Sequence, residues 1–359
     1  MIPVIKVLVV DDSALIRQIL TRALGLDPRI EIVGTARNGV EAVERAKELR
    51  PDVITLDIEM PLLTGLEALP FLLKETDARI IMLTSVDDPA TTYEALDAGA
   101  VDFIVKPKGG FATSISDLAD TLLKQIRTAY RVEPSKRVSR GANLIGRLVR
   151  EPHEVGRRAA GKTSRTIDRV VAVAASTGGP PALERVFSGL TADLPAAYVV
   201  VQHLPAGFTS SLVQRLRRVT DIEVVEATAD ATLRPATAYV APHGVHMTVG
   251  KRAGGIPRVK LEEGPSVHGV KPAADPLIES VARAYGSDSV GVLLTGMGSD
   301  GADGMVAVRG SGGTTIVQDE ATSVVWGMPG AAVRRGAVQH VVPLDDVAGE
   351  IRRSVRGGA

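Results

Sequence analysis

The sequence contains no cysteine among its 359 residues. This absence excludes disulfide bonds, thiolate metal centres and cysteine nucleophiles. Net charge is also absent, because 42 lysines and arginines balance 42 aspartates and glutamates. No overall field therefore draws the chain to nucleic acid or to an anionic membrane. The opening segment lacks the pattern of a secretory signal, and no run of about 18 apolar residues suits a membrane span. We expect a cytoplasmic protein that neither inserts into membranes nor binds nucleic acid.

Aromatic residues make up only 3% of the chain, but 45% of it is hydrophobic, which is enough to build packed cores. Its length exceeds the usual span of about 100–200 residues for one domain, so we expect two domains. Strand and helix patterns occupy residues 1–130 and residues 168–359. Residues 131–167 carry ten lysines and arginines against three glutamates, and we interpret them as a basic flexible linker.

The first domain alternates five short runs rich in valine and isoleucine with five amphipathic stretches. This pattern predicts a flavodoxin-like (βα)₅ fold with a doubly wound parallel sheet. The predicted strands are Val4–Val10, Ile30–Gly34, Val53–Asp57, Arg79–Thr84 and Phe103–Val105. The predicted helices are Ser13–Leu24, Gly39–Leu49, Gly65–Leu73, Pro89–Ala98 and Ile115–Tyr130.

The second domain resumes the alternation, with period-2 patterning in Thr237–Glu263 that predicts two or three antiparallel strands. We therefore expect a three-layer α/β domain, with a mostly parallel sheet and an antiparallel excursion. The other predicted strands are Arg169–Ala174, Ala197–Gln202, Ile222–Glu226, Ala238–Ala241, Val290–Thr295 and Thr314–Gln318. The predicted helices are Pro181–Leu190, Thr209–Arg218, Ala273–Tyr285, Asp303–Arg309 and Val347–Val355.

Five polar residues of the first domain follow or end predicted strands: Asp11, Asp12, Asp57, Thr84 and Lys106. The carboxyl ends of parallel strands form the ligand-binding edge of such a sheet. Three clustered carboxylates need a compensating cation, and a cage of oxygen ligands suits Mg²⁺. A lysine and a hydroxyl opposite them could bind phosphoryl oxygens, so the pattern predicts phosphoryl transfer to a carboxylate.

Residues 4–130 resemble the receiver domain of two-component response regulators through the motifs VLVVDDS, ITLDIEMP and IIMLTS and the Lys-Pro after strand five. The resemblance implies that a histidine kinase phosphorylates Asp57. It also implies that Asp12 and Asp57 bind Mg²⁺ together with the Glu59 carbonyl, and that Thr84 and Lys106 contact the acyl phosphate. Tyr93 stands where this family has its aromatic switch residue, although a packed helix aromatic explains it equally well.

In the second domain, Ser176 follows a predicted strand in the sequence AASTGGPP, where glycines and a helix start could expose backbone amides to an oxyanion. A helix-capping serine in a glycine-rich turn is the alternative. His203 and Asp300 also follow predicted strands, so they could serve as the base and as the group that orients it. His243 and His246 lack the glutamate of an H-E-x-x-H motif, and we interpret them as structural or rim residues.

The motifs AASTGGPPAL, VVQHLPAGF and LLTGMGSDGADG resemble the catalytic domain of the chemotaxis protein-glutamate methylesterases. The resemblance implies a triad of Ser176, His203 and Asp300, with Met297 supplying an oxyanion-hole amide and Thr177 beside it. It implies methylated glutamates of chemoreceptors as substrates, deamidation of certain glutamines, and no cofactor for hydrolysis. A chemotaxis histidine kinase would be the phosphodonor, and we expect a monomer whose unphosphorylated receiver blocks the catalytic mouth.

Two other classes of function remain open at this point. Many receivers drive DNA-binding outputs, but such an output needs a compact helix-turn-helix domain of about 60–100 residues, and the second domain is nearly twice that length. A regulated scaffold, in which the triad-like residues are only structural, is the other alternative.

Overall fold

The computed structural model describes residues 3–85, 89–106, 113–132, 167–251 and 257–357. The chain divides into two compact units, Met1–His153 and Glu154–Ala359. Most of the predicted linker, residues 133–166, lies outside the described residues, so the boundaries 1–130, 131–167 and 168–359 stay a prediction. Within the described part of the chain, no helix is both long and apolar enough to cross a membrane.

The first unit is built on a five-stranded parallel sheet with the strand order β2-β1-β3-β4-β5. This order is the flavodoxin-like one, so the predicted fold is confirmed. The strands are β1 Ile5–Val10, β2 Ile30–Ala36, β3 Val53–Asp57, β4 Arg79–Thr84 and β5 Asp102–Val105. The helices are α1 Ala14–Leu24, α2 Gly39–Leu49, α3 Gly65–Glu75, α4 Pro89–Ala98 and α5 Thr113–Tyr130.

Helix α3 begins where its sequence provides both halves of a capping box. The backbone N–H of Glu67 donates to the Thr64 hydroxyl at 3.3 Å, and the backbone N–H of Thr64 donates to the Glu67 carboxylate at 2.9 Å. Two of the otherwise unpaired N–H groups at the helix start are thereby satisfied. The next residue, Gly65, donates its N–H to the Ile58 carbonyl, which holds the start of α3 against the end of β3.

The second unit contains a seven-stranded parallel sheet in the order β14-β13-β12-β6-β7-β9-β8 and a separate antiparallel pair, β10 and β11. The strands are β6 Arg169–Ala175, β7 Ala196–Gln202, β8 Glu223–Glu226, β9 Thr237–Val240, β10 His246–Lys251, β11 Pro257–Glu262, β12 Ser289–Leu293, β13 Thr314–Gln318 and β14 His340–Val342. The helices are α6 Gly179–Phe187, α7 Thr209–Arg217, α8 Ala274–Tyr285, α9 Ala302–Gly310, α10 Met328–Arg334 and α11 Leu344–Arg356.

Alternation along the buried strands separates two helix layers in this unit. Val170, Ala172 and Ala174 of β6 belong to a core cluster that also contains residues of α8, α9 and α10. Tyr198 of β7 instead meets Phe187 of α6, with the two rings edge to face at 6.0 Å. Because successive side chains of a strand point to opposite faces, the sheet lies between two helical layers. The predicted three-layer α/β domain is thus confirmed.

The antiparallel excursion consists of β10 and β11, which agrees with the predicted two or three antiparallel strands. Thr237–Val240, at the start of the predicted segment, lies parallel to its neighbours in the main sheet. A period of two gives the faces of a strand but not the direction of its partner, so the pattern could not decide this. The sequence analysis also missed the edge strand β14 and the helix α10, which at three and seven residues are too short to show a clear period.

A Gly65→Ala substitution should destabilise the first unit. A Cβ atom at this position would lie 2.0 Å from the Asp57 carbonyl oxygen, so α3 or β3 would have to shift. We expect a loss of about 1–3 kcal/mol in the free energy of unfolding, measured by urea denaturation of the full chain.

Gly349→Ala in α11 is the matched control. Its new methyl group would meet only arginine side chains at 3.8 Å, and alanine favours a helix, so stability should rise by about 0.5–1 kcal/mol. An unchanged urea midpoint in Gly65→Ala would contradict the close approach of α3 to β3.

Candidate functional sites

An acidic pocket forms at the carboxyl edge of the first sheet. Strands β1 and β3 pair in parallel with Val10 opposite Leu56, so Asp11, Asp12 and Asp57 leave the sheet side by side. Ligand atoms of the three carboxylates lie within 4.8 Å of one another. Asp11 and Asp57 are buried, whereas Asp12 is exposed. The structure therefore brings together the three carboxylates that the sequence proposed as a cation site.

Lys106 closes this pocket from the end of β5. Its Nζ atom lies 2.8 Å from Asp11 Oδ2 and 2.6 Å from Asp57 Oδ2. Burial raises the pKa of Asp57 to about 6; Lys106 opposes this rise, and the neighbouring charges of Asp11 and Asp12 add to it. One lysine thus leaves the three carboxylates undercompensated. A set of clustered oxygen donors with excess negative charge fits Mg²⁺, which Asp12 and Asp57 would hold.

Thr84 and Tyr93 belong to consecutive elements of the first unit, β4 and α4. Thr84 ends β4, and its hydroxyl lies 2.8 Å from the hydroxyl of Thr92 in α4. Tyr93 is buried, with 1% of its surface exposed. Glu59 is exposed in the loop after β3, and the proline after Lys106 lies outside the described residues. The roles of Thr84, Tyr93 and the Glu59 carbonyl stay predictions.

Ser176 occupies a tight turn between β6 and α6 in the second unit. Its carbonyl accepts a hydrogen bond from the N–H of Gly179 at 2.7 Å and another from the side-chain amide of Gln202 at 2.9 Å. Gly178 has a φ of 74°, a left-handed conformation that glycine adopts without steric cost. A Cβ on Gly179 would lie 2.0 Å from the Gln202 side-chain oxygen. The small residues after Ser176 are therefore needed for the turn.

His203 lies next to Ser176 because of strand register. Ala175 of β6 pairs with Gln202 of β7, and the N–H of His203 donates to the Ala175 carbonyl at 3.1 Å. Continuing the parallel register by one residue places Ser176 beside His203. The His203 Nε2 atom lies 2.8 Å from Asp300 Oδ2, which leaves Nδ1 as the nitrogen available to a serine. In the serine-protease template, it is Nδ1 that faces the aspartate.

Asp300 is a buried carboxylate with three hydrogen-bond donors. Besides His203, the backbone N–H groups of Ala274 and Asp275 donate to it at 2.7 Å and 3.0 Å. Burial alone would raise the pKa of Asp300, but the hydrogen bond and charge of His203 and the two backbone donors hold it below its usual value. Asp300 is therefore ionised at neutral pH and can stabilise an imidazolium at His203.

The segment that carries Met297 packs directly on Ser176. The N–H of Ser176 donates to the Thr295 carbonyl at 3.0 Å, and a Cβ on Gly296 would lie 2.9 Å from the Ser176 Cβ. Thr177 is buried, and its carbonyl accepts from the Thr295 hydroxyl at 2.9 Å. Met297 and Thr177 are thus adjacent to the predicted nucleophile, while their part in an oxyanion hole stays a prediction.

Sequence reasoning missed the groups that hold the three candidate catalytic residues in place. Gln202 and Thr295 both support the Ser176 turn, and both lie within the quoted motifs, so the motifs themselves were the available signal. The two backbone donors to Asp300 had no signal, because any residue type supplies an N–H group. His246 is buried, with Nε2 3.0 Å from the Pro265 carbonyl and Nδ1 accepting from the Ala273 N–H, which fits a structural role.

Comparisons with known proteins follow the same division of the chain. Residues 171–351 match the CheB methylesterase family model, and residues 7–111 match the response regulator receiver domain model. A relative in Pyrococcus horikoshii is 42% identical over 99% of this chain and 95% of its own length; one in Archaeoglobus fulgidus is 43% identical over 97% of each. Both are named protein-glutamate methylesterase/protein-glutamine glutaminase.

One solved structure also resembles the second unit. The crystal structure of the Thermotoga maritima CheB methylesterase catalytic domain matches with a TM-score of 0.51 and 34% identity. The match covers 52% of this chain and 97% of that one.

An Asp57→Asn substitution should stabilise the magnesium-free protein at neutral pH. The pKa of Asp57 rises from 3.8 to about 6 on folding, so between pH 4 and pH 6 the folded state binds more protons than the unfolded state. The contribution of Asp57 to stability therefore falls as pH rises through that window. Above pH 6 the folded protein bears the full free-energy cost of the buried charge. The free energy of unfolding of the variant should exceed that of the wild type by about 1–3 kcal/mol at pH 7, and the two should differ little at pH 4.

Thermal unfolding in EDTA from pH 4 to pH 8 measures this difference. Excess Mg²⁺ is the control, because it should stabilise the wild type more than Asp57→Asn and so narrow the gap. If the stability difference between Asp57→Asn and the wild type does not widen between pH 4 and pH 6, burial does not disfavour the charged form of Asp57.

Proposed function

The chain belongs to the CheB methylesterase family and carries a response regulator receiver domain, and from this premise we propose that Ser176, His203 and Asp300 are its catalytic triad. The substrates would be glutamate methyl esters on the cytoplasmic domains of chemoreceptors, together with certain glutamines. The observation that carries the assignment is the 2.8 Å contact between His203 and the buried, ionised Asp300, one strand away from Ser176. An uncompensated carboxylate is costly to bury, and this one is oriented toward a histidine.

The proposed reaction proceeds through an acyl-serine. Ser176 Oγ bonds to the ester carbonyl carbon while His203 Nδ1 takes the hydroxyl proton. The bond to the methoxy oxygen then breaks, and His203 returns the proton to the departing methanol. Water adds to the acyl-serine with the same proton transfers, which releases the glutamate carboxylate and restores Ser176. With glutamine as substrate, ammonia leaves in place of methanol.

The oxyanion of each tetrahedral intermediate would lie between the start of α6 and the segment at Met297. The Ser176 turn and Gly296 are in close contact, so backbone amides from both segments can approach one oxygen. Thr177 belongs to the first segment. We therefore assign Met297 the oxyanion-hole amide and Thr177 a place beside it.

The receiver unit would regulate this activity through Asp57. A histidine kinase would transfer a phosphoryl group to Asp57 with Mg²⁺ bound at the acidic pocket, and Lys106 is already 2.6 Å from the acceptor carboxylate. Thr84 would exchange its Thr92 partner for a phosphoryl oxygen, which changes the contacts of α4. We propose that this change raises esterase activity, and that the protein acts as a monomer in the cytoplasm.

A DNA-binding output does not fit the second unit. That alternative requires a compact helix-turn-helix domain, whereas the second unit contains a seven-stranded parallel sheet and matches the methylesterase model. The scaffold alternative makes a different prediction, because a scaffold would release no methanol.

A Ser176→Ala substitution should abolish ester hydrolysis. Without the nucleophile, methanol release from a methylated chemoreceptor fragment should fall by about three to six orders of magnitude, and His203→Ala should behave similarly. Circular dichroism should show an unchanged fold. Ser188→Ala, at the other end of α6, is the matched control and should keep full activity. Undiminished turnover in Ser176→Ala would exclude the serine mechanism and favour the scaffold alternative.

Phosphorylation should raise the activity of the intact chain. We expect a small-molecule phosphodonor with Mg²⁺ to increase methanol release about 5–150-fold, the usual range for coupling between two sites. Asp57→Asn should neither incorporate phosphate nor be activated. Residues 168–359, produced alone, should be more active than the unphosphorylated full chain and insensitive to phosphodonor. A fragment no faster than the full chain would show that the receiver does not inhibit, and that phosphate acts in another way.

A further inference from the structure

A second histidine–carboxylate pair lies next to Asp300. His268 Nε2 lies 2.8 Å from Asp275 Oδ2, and Asp275 is only 4% exposed. Asp275 is in the first turn of α8, and its N–H donates to the catalytic Asp300. His268 has a φ of 53° at the tip of a turn in which Val267 and Val270 pair, a left-handed backbone conformation that costs a non-glycine residue energy. Neither side chain takes part in the proposed proton transfers.

The two aspartates cap each other's helices. Asp300 precedes α9 and accepts hydrogen bonds from the N–H groups of Ala274 and Asp275 at the start of α8. Asp275 in turn accepts the N–H of Gly304, at the start of α9, at 2.8 Å. The N-cap residues of both helices provide no side-chain cap of their own. The start of α8 therefore donates to Asp300, in the loop before α9, and the start of α9 donates to Asp275 of α8.

Close packing makes this reciprocal arrangement possible. A Cβ on Gly304 would lie 2.6 Å from the Cβ of Ile278, so only glycine lets α9 approach α8 this closely. Asp303, in the first turn of α9, forms an ion pair with Arg335. Ligand atoms of His268, Asp275 and Asp303 come within 4.8 Å of one another, but Arg335 supplies the positive charge there, and the Asp275 carboxylate is already bound by His268 and Gly304. We assign the cluster to capping on this basis.

We propose that Asp275 is a positioning residue of the esterase, acting through Asp300; the proposal rests on the triad assignment above. Asp300 lies two residues before α9, so the start of α9 sets the position of its carboxylate relative to His203. Asp275 fixes that start, and His268 holds the second oxygen of Asp275. A shift of about 1 Å in a catalytic group can lower a rate about 100-fold. Asp275 therefore affects the reaction without contacting the substrate.

The test is a graded series of Asp275 variants in the full-length protein, assayed by methanol release from a methylated chemoreceptor fragment in EDTA. Asp275→Ala removes the acceptor for Gly304 and should lower kcat about 10–100-fold with KM within about twofold. Asp275→Asn keeps a carbonyl acceptor for the Gly304 N–H and should therefore retain more activity than Asp275→Ala, with kcat about 3–10-fold below the wild type. If the alanine variant fails to fold, the asparagine variant carries the test.

Ser280→Ala is the matched control, because it removes another buried hydrogen bond of α8. The Ser280 hydroxyl accepts the N–H of Val249 at 2.8 Å, on a strand that contributes nothing to the triad. This variant should lose stability as the Asp275 variants do, but keep its kcat. An equal loss of kcat in Ser280→Ala would show that destabilising α8 is sufficient, and would overturn the proposal.

A double-mutant cycle separates positioning from general support. In an Asp300→Asn background, adding Asp275→Asn should lower kcat by less than about twofold, because the residue through which Asp275 acts is already impaired. The ¹⁵N signals of the His203 ring should shift in Asp275→Asn alone and not in Ser280→Ala. Additive losses of kcat, or an unshifted His203 signal, would refute positioning. If Asp300→Asn itself leaves activity unchanged, the triad assignment is wrong instead.

Discussion

Parallel strand pairing is the constraint on which both sites of this protein depend. Parallel neighbours end at the same edge of a sheet, so residues far apart in sequence meet there. In the first unit this edge brings Asp11 and Asp57 to Lys106, and in the second it brings Ser176 beside His203. The loops at that edge can vary in chemistry while the strands beneath remain apolar and buried. One architectural rule therefore produces an acidic pocket in one unit and a candidate hydrolase site in the other.

Both sites also depend on how buried carboxylates are compensated. In the first unit a single lysine faces three clustered carboxylates, and the pKa of Asp57 rises to about 6. The negative charge of this pocket therefore exceeds its positive charge. In the second unit Asp300 has a histidine and two backbone donors, and its pKa is lowered. The first arrangement suits a site that binds a cation and accepts a phosphoryl group. The second suits a carboxylate that stays ionised and orients a base.

The sequence was most informative where residue type and period act locally. All five strands and five helices of the first unit were predicted with bounds close to those observed, because the strands are short apolar runs and the helices between them are amphipathic. In the second unit the short elements β14 and α10 were missed. The direction of β9 could not be predicted, because a period of two is common to parallel and antiparallel strands. The residues 133–166, which hold most of the predicted linker, lie outside the described structure.

For the candidate sites, the sequence by itself determined which chemical groups are available and at which strand ends they stand: the three carboxylates and Lys106, and then Ser176, His203 and Asp300. It could do so because reactive side chains have few substitutes, and because strand ends can be recognised from apolar runs. The tertiary structure alone decided which nitrogen of His203 faces the carboxylate and which backbone N–H groups bind Asp300. It also decided that Asp275 and Asp300 cap each other's helices. Those contacts use backbone atoms, which every residue carries, and they depend on the packing distance between helices, which no local pattern encodes.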